Sequence, residues 1–102
     1  MNMQALLKQA QKMQKDMAEK EQELSSKTYE TSMGGGAVKV VVKGDFTVES
    51  IQINEDLLEK DSKEDLEDML ISAFNEVLAK ANEDKEKTMN AITGGIKMPG
   101  GF

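Results

Sequence analysis

The sequence predicts an α+β protomer of order α-β-β-β-α, in which a three-stranded antiparallel sheet carries two long projecting helices and pairs with a second copy. Three observations predict it. Apolar residues recur every three or four positions over residues 3–24 and again over 66–92, whereas residues 27–53 between them are rich in β-branched side chains. The eight glycines cluster at 34–36, at 44 and from 94 onward, where one pattern gives way to the next. A chain of 102 residues also buries too little surface to build a large core alone, so a second copy is expected to add to it.

The first helix is expected over residues 2–24. Met3, Leu6, Ala10, Met13, Met17 and Leu24 form a heptad-like seam interrupted by Lys20, and no Gly or Pro occurs before Gly34. Strands follow at 27–33, 37–43 and 46–53. Gly34-Gly35-Gly36 supplies the first hairpin connection, and Gly44-Asp45 reads as a two-residue turn. In the third strand Phe46 and Val48 share one parity but Ile51 and Ile53 the other, which predicts a bulge near Glu49 or Ser50. Leu57-Leu58 suggests one helical turn within an acidic connection. The second helix is expected over 63–93, with Ser62 and Asp65 as a variant capping box, an apolar stripe from Leu66 to Ala81, and a stop at Gly94-Gly95. Residues 94–102, containing Pro99-Gly100-Gly101, are expected to form a flexible tail.

Helix length conflicts with sheet size. At a rise of about 1.5 Å per residue the helices run to about 34 and 46 Å, while a sheet of short strands measures about 15 to 20 Å on a side. Both helices must overhang the sheet, and the polar stretch Asn82–Thr88 matches the overhang.

Composition excludes several chemistries. There is no histidine and no cysteine, hence no Cys/His zinc site, no thiol or imidazole nucleophile and no disulfide; no catalytic site, metal or cofactor is expected. The net charge is -6, with 19 acidic residues against 13 basic ones, all lysine. The excess sits entirely after residue 51, and residues 1–15 hold three lysines and no acid. Local patches of one sign persist because salt screens charges beyond about 8 Å. No hydrophobic leader or membrane span is present, which reads as a cytoplasmic protein.

Other motifs take their plainer meaning. Gly34-Gly35-Gly36-Ala37-Val38-Lys39 lacks the ending of a phosphate loop and leads into a strand. The carboxylates of Asn54–Asp68 lack the glycine of a calcium loop. The first helix has no aromatic anchor for a membrane surface and is acidic in its later turns. Lys8, Lys12 and Lys15 are spaced by four and three, opposite the apolar seam, and form a phosphate-contacting face; Lys85 and Lys87 in the second overhang are weaker candidates. The dimer interface is expected at Leu6, Met13, Val40 and Val42.

The ordered set Gly35-Gly36-Ala37-Val38-Lys39-Val40, Ile51-Gln52-Ile53, Leu57-Leu58, Leu66-Glu67-Asp68-Met69-Leu70, Ala73-Phe74-Asn75-Glu76 and the ending Met98-Pro99-Gly100-Gly101-Phe102 resembles the YbaB/EbfC family of bacterial nucleoid-associated proteins. The resemblance implies a tweezer-shaped homodimer, not an enzyme, whose helical arms bind double-stranded DNA in the nucleoid. The alternative from composition is a protein-protein adaptor using the acidic second half or the apolar seam.

Overall fold

The computed structural model describes residues 2–94. Helix α1 (Met3–Ser26) leads into β1 (Thr28–Met33), β2 (Val38–Lys43) and β3 (Val48–Ile53); two short 3-10 turns (Glu55–Leu57 and Lys60–Ser62) precede helix α2 (Lys63–Thr93). The predicted order α-β-β-β-α stands. The Gly/Pro stretch expected to be flexible lies, apart from Gly94, outside the described residues.

Local chemistry sets the boundaries. Asn2 caps α1, its side-chain oxygen accepting from the backbone N–H of Gln4 at 3.0 Å and of Ala5 at 3.4 Å. At the other end Ser25 and Ser26 donate their hydroxyls to the carbonyls of Gln22 and Glu23, so the helix runs two residues past the expected Leu24. Ser62 begins α2 but makes no side-chain cap, contrary to the expected capping box. Its backbone continues the preceding 3-10 turn, at φ -97° and ψ 3°, rather than the extended conformation a capping side chain needs. Gly94 closes α2 in the left-handed region, as expected.

The sheet order is β1-β2-β3, antiparallel throughout. Val41 pairs with Ser50 and Val42 with Val48, so Glu49 is the extra residue of the predicted bulge. The β2–β3 connection differs from the two-residue turn. Phe46 N–H bonds to the Lys43 carbonyl at 2.9 Å and Phe46 itself sits at φ 66°, which makes a three-residue loop and delays β3 to Val48. Asp45 reinforces the loop by accepting from both the backbone and the hydroxyl of Thr47.

Register places Tyr29, Thr31 and Met33 on one face with Val42, Val40 and Val38, and with Val48, Ile51 and Ile53 across the other edge. Helix α2 lies over β1 and β2 of this face. Val38, Val40 and Val42 are fully buried with Ala73, Val77 and Ala81, and Met69, Leu70 and Phe74 pack around them. Val40 and Val42 therefore belong to the protomer's own core. Their expected place at a dimer interface is corrected: with no exposed surface, neither can touch a partner.

Nothing among the described residues covers β3 on the same face. Val48 and Ile51 are about half exposed, and Ile71 and Leu78 on the neighbouring flank of α2 are open too. The opposite flank of α2 is polar, with Lys80 donating to the Glu30 carbonyl of β1 at 3.0 Å. The protomer thus exposes apolar side chains on β3 and on α2. Its principal extents are 69 × 24 × 17 Å and its radius of gyration 19.4 Å, against about 13 Å for a compact domain of this size. No helix is long and apolar enough to cross a membrane.

Candidate nucleic-acid interface

The elongation comes from an arm built by α1 and the overhang of α2. Near the sheet the helices are tied by ion pairs, Lys85 to Glu21 at 3.8 Å and Lys27 to Asp84 at 2.6 Å. They run antiparallel from there, α2 toward Thr93 and α1 back toward its start. Burial agrees. Thr93 is buried, Met13 and Met17 are half-buried, and residues 2–12 are all exposed. Met3 and Leu6 of the heptad seam, with Leu7 beside them, are exposed on the part of α1 that, among the described residues, reaches past α2. Leu6 is exposed and Met13 lies within the arm.

Lys8, Lys12 and Lys15 are exposed along the face of α1 turned away from this seam. Among the described residues none has a carboxylate within ion-pairing distance, although Asp16 and Glu19 follow closely in sequence. Neighbouring lysines on α2 differ. Lys87 is exposed but lies 3.7 Å from Glu83. Lys85 is half-buried at the root of the arm, paired with Glu21 and 5.9 Å from the centre of the Phe46 ring. The structure therefore groups the three α1 lysines on one projecting surface and holds Lys85 apart from them.

The arm root contains residues that sequence reasoning passed over. Asp84 accepts from Lys27 Nζ and from the Tyr29 hydroxyl, both at 2.6 Å, and Lys27 Nζ lies 5.6 Å from the Tyr29 ring centre. The hydrogen bonds from Lys27 and then Tyr29 hold the Asp84 carboxyl below its usual range. Burial, reinforced by the neighbouring Asp84 charge, pushes the Tyr29 hydroxyl up to about 12. On the other side, Gly44 donates its N–H to the Lys27 carbonyl at 2.9 Å and packs against the Leu24 backbone so closely that a Cβ there would overlap the Leu24 carbonyl oxygen. Phe46 is the one non-glycine among the described residues with positive φ. A bulky side chain there stores roughly 1–3 kcal/mol of strain. Asp45 is held below its usual range by its bonds from Thr47. These contacts join residues more than fifty positions apart, and local periodicity carries no trace of them.

Comparison with known proteins agrees with the geometry. The profile of the YbaB/EbfC DNA-binding family matches residues 1–96. A nucleoid-associated protein of Ruminiclostridium cellulolyticum is 46% identical over 102 residues, covering 99% of this chain and 89% of that one. One from Pelotomaculum thermopropionicum is 44% identical over 101 residues, covering 99% and 96%, and one from Rickettsia africae 40% identical, covering 99% and 94%. The crystal structure of an uncharacterized Helicobacter pylori protein superposes with a TM-score of 0.74 at 26% identity, over 85% of this chain and 91% of that one. Helices, bulged sheet, projecting arm and whole-length similarity point the same way: the chain belongs to the YbaB/EbfC DNA-binding family, a bacterial nucleoid-associated family and not one of enzymes.

Proposed function

We propose that the protein binds double-stranded DNA in the nucleoid as a homodimer, gripping phosphates with Lys8, Lys12 and Lys15 of each α1 arm. The observation that carries this reading is the row of three exposed lysines without ion-pair partners among the described residues, set on a helix that projects from an otherwise acidic protein. Phosphate contact is electrostatic and needs reach more than shape, and the arm supplies reach. Lysine offers a point charge rather than the planar fork that reads guanine, so sequence preference is weak. Lys87 adds a secondary contact, and Lys85 contributes less because Glu21 and the Phe46 ring already engage it.

The second copy belongs on the open edge. Val48 and Ile51 are exposed on β3, an unpaired edge strand, and Ile71 and Leu78 are exposed on α2, so a second copy seated on this edge covers apolar surface and free backbone groups together. Leu6, exposed on the arm, is a subsidiary contact. A two-fold dimer of this kind sets two arms, and six α1 lysines, toward one duplex. Electrophoretic mobility of duplex DNA with the pure protein tests the reading: binding at low salt, lost in Lys8→Ala/Lys12→Ala/Lys15→Ala while the dimer persists, supports it, and equal binding by the triple variant refutes it.

A further inference from the structure

The lysines of α1 are far from the sheet that anchors them. Lys8 is 19 residues from Lys27, about 28 Å along the helix, so a swing of about 10° at the root moves it by about 5 Å. That exceeds the roughly 3.4 Å axial spacing of phosphates along one strand. Phosphate registry therefore depends on what holds the root. Helix α2 passes unbroken from sheet to arm, but α1 joins the sheet through a single extended residue, Lys27, at φ -72° and ψ 145°. A hinge would form there unless side chains closed it.

Resting on the reading that the α1 lysines contact DNA, we infer that Asp84, Tyr29 and Lys27 form a clasp that positions the α1 arm, so that DNA binding depends on three residues that need not touch DNA. Asp84 comes from α2, Lys27 from the hinge and Tyr29 from β1, and the two bonds to one carboxylate oxygen tie the three elements at a point. Each partner restricts a different motion. Lys27 holds the hinge residue to α2, and Tyr29, aligned by the first residues of β1, holds α2 to the sheet edge. The Gly44 bond to the Lys27 carbonyl fixes the hinge from the opposite side, and the clasp joins the Lys85–Glu21 pair and the α1–α2 packing in resisting rotation toward α2, at the hinge residue itself.

The chain lacks cysteine, so nitroxide labels can be placed at two chosen sites without background. Gln4→Cys at the arm tip and Ser32→Cys on the outer sheet face, in protein diluted with unlabelled chain, report the intrachain distance by pulsed electron resonance. The parent protein is expected to give one narrow distribution. Asp84→Ala and Tyr29→Phe should broaden it and weaken DNA binding several-fold, with the salt slope unchanged because the same lysines remain; Asp84→Glu should restore much of both. An unchanged width in Asp84→Ala, even with a lower melting temperature, overturns the clasp. Broadening without loss of DNA affinity overturns its role in binding. Failure of the unmutated protein to bind DNA contradicts the proposed function instead, and the distance measurement stands apart from that result.

Discussion

At the scale of single residues, two groups carry measurable signatures. Tyr29 is the one tyrosine and there is no tryptophan, so phenolate absorbance reports its ionisation without overlap. The hydroxyl should titrate near 12, and Asp84→Asn should lower that value by removing the adjacent charge; a titration near the ordinary value of 10.0 in the parent would contradict the clasp geometry. The sign for stability follows. A raised folded value means that the contribution of Tyr29 is fully present below pH 10.0 and is lost as pH rises toward 12. Asp84 is depressed, so its contribution is present above its unfolded value of 3.8 and is lost as pH falls below it. Phe46 offers a second test. Phe46→Ala keeps the left-handed backbone of a residue with a Cβ and loses the ring, whereas Phe46→Gly loses the ring and relieves the strain, so the glycine variant should be more stable than the alanine variant by about 1 kcal/mol in denaturant titrations. None of these residues announced itself in the sequence. Phe46 read as a strand residue because aromatic side chains favour strands, and tertiary contacts with the arm root overrode that preference.

At the scale of elements, periodicity proved informative where apolar faces are long. The stripe from Leu66 to Ala81 covers β1 and β2 but leaves β3 and its own Leu78 open, and the parity change in β3 marked the bulge at Glu49. The seam of α1 was legible, but not its partner. It packs on the overhang of α2 from Met13 onward, because the overhang that the length argument predicted supplies a helix running alongside. Asn82–Thr88, polar in sequence, turned out to hold the tethers to α1 and β1 through Asp84 and Lys85. Energetics separate these contacts by kind. Val77 is fully buried against β2, and Val77→Ala should cost about 2 kcal/mol. Gly44→Ala forces a Cβ into the Leu24 carbonyl, which cannot yield without shifting the end of α1, and should cost about 4 kcal/mol. Urea denaturation of both variants checks the order. An alanine at position 44 tolerated as well as one at 77 would show that the arm root is not closely packed.

At the scale of the whole molecule, charge and shape must be read together. A net charge of -6 argues against nucleic acid only if the charge is spread evenly, and it is not. Acidic side chains gather at residues 55–68 around the start of α2, while the lysine face lies on the α1 arm, beyond the far end of the sheet and several screening lengths away. The family was legible from the ordered motifs, and so was the overhang from helix lengths. The edge proposed for the second copy was not. Valines of the central strand looked like the natural interface, yet α2 covers them and leaves β3 open, a choice between two edges that no single-strand pattern encodes. Ile51→Glu should accordingly convert a dimer to a monomer in sedimentation equilibrium while leaving the protomer folded; an unchanged mass would place the second copy elsewhere.

If arm lysines hold DNA by its phosphates, a salt series of mobility-shift titrations reads it out. Six lysines neutralising phosphates predict that the logarithm of affinity falls with the logarithm of salt concentration at a slope of roughly 5, dropping sharply in the Lys8→Ala/Lys12→Ala/Lys15→Ala protein. Affinity insensitive to salt, or the same slope in the triple variant, would contradict it.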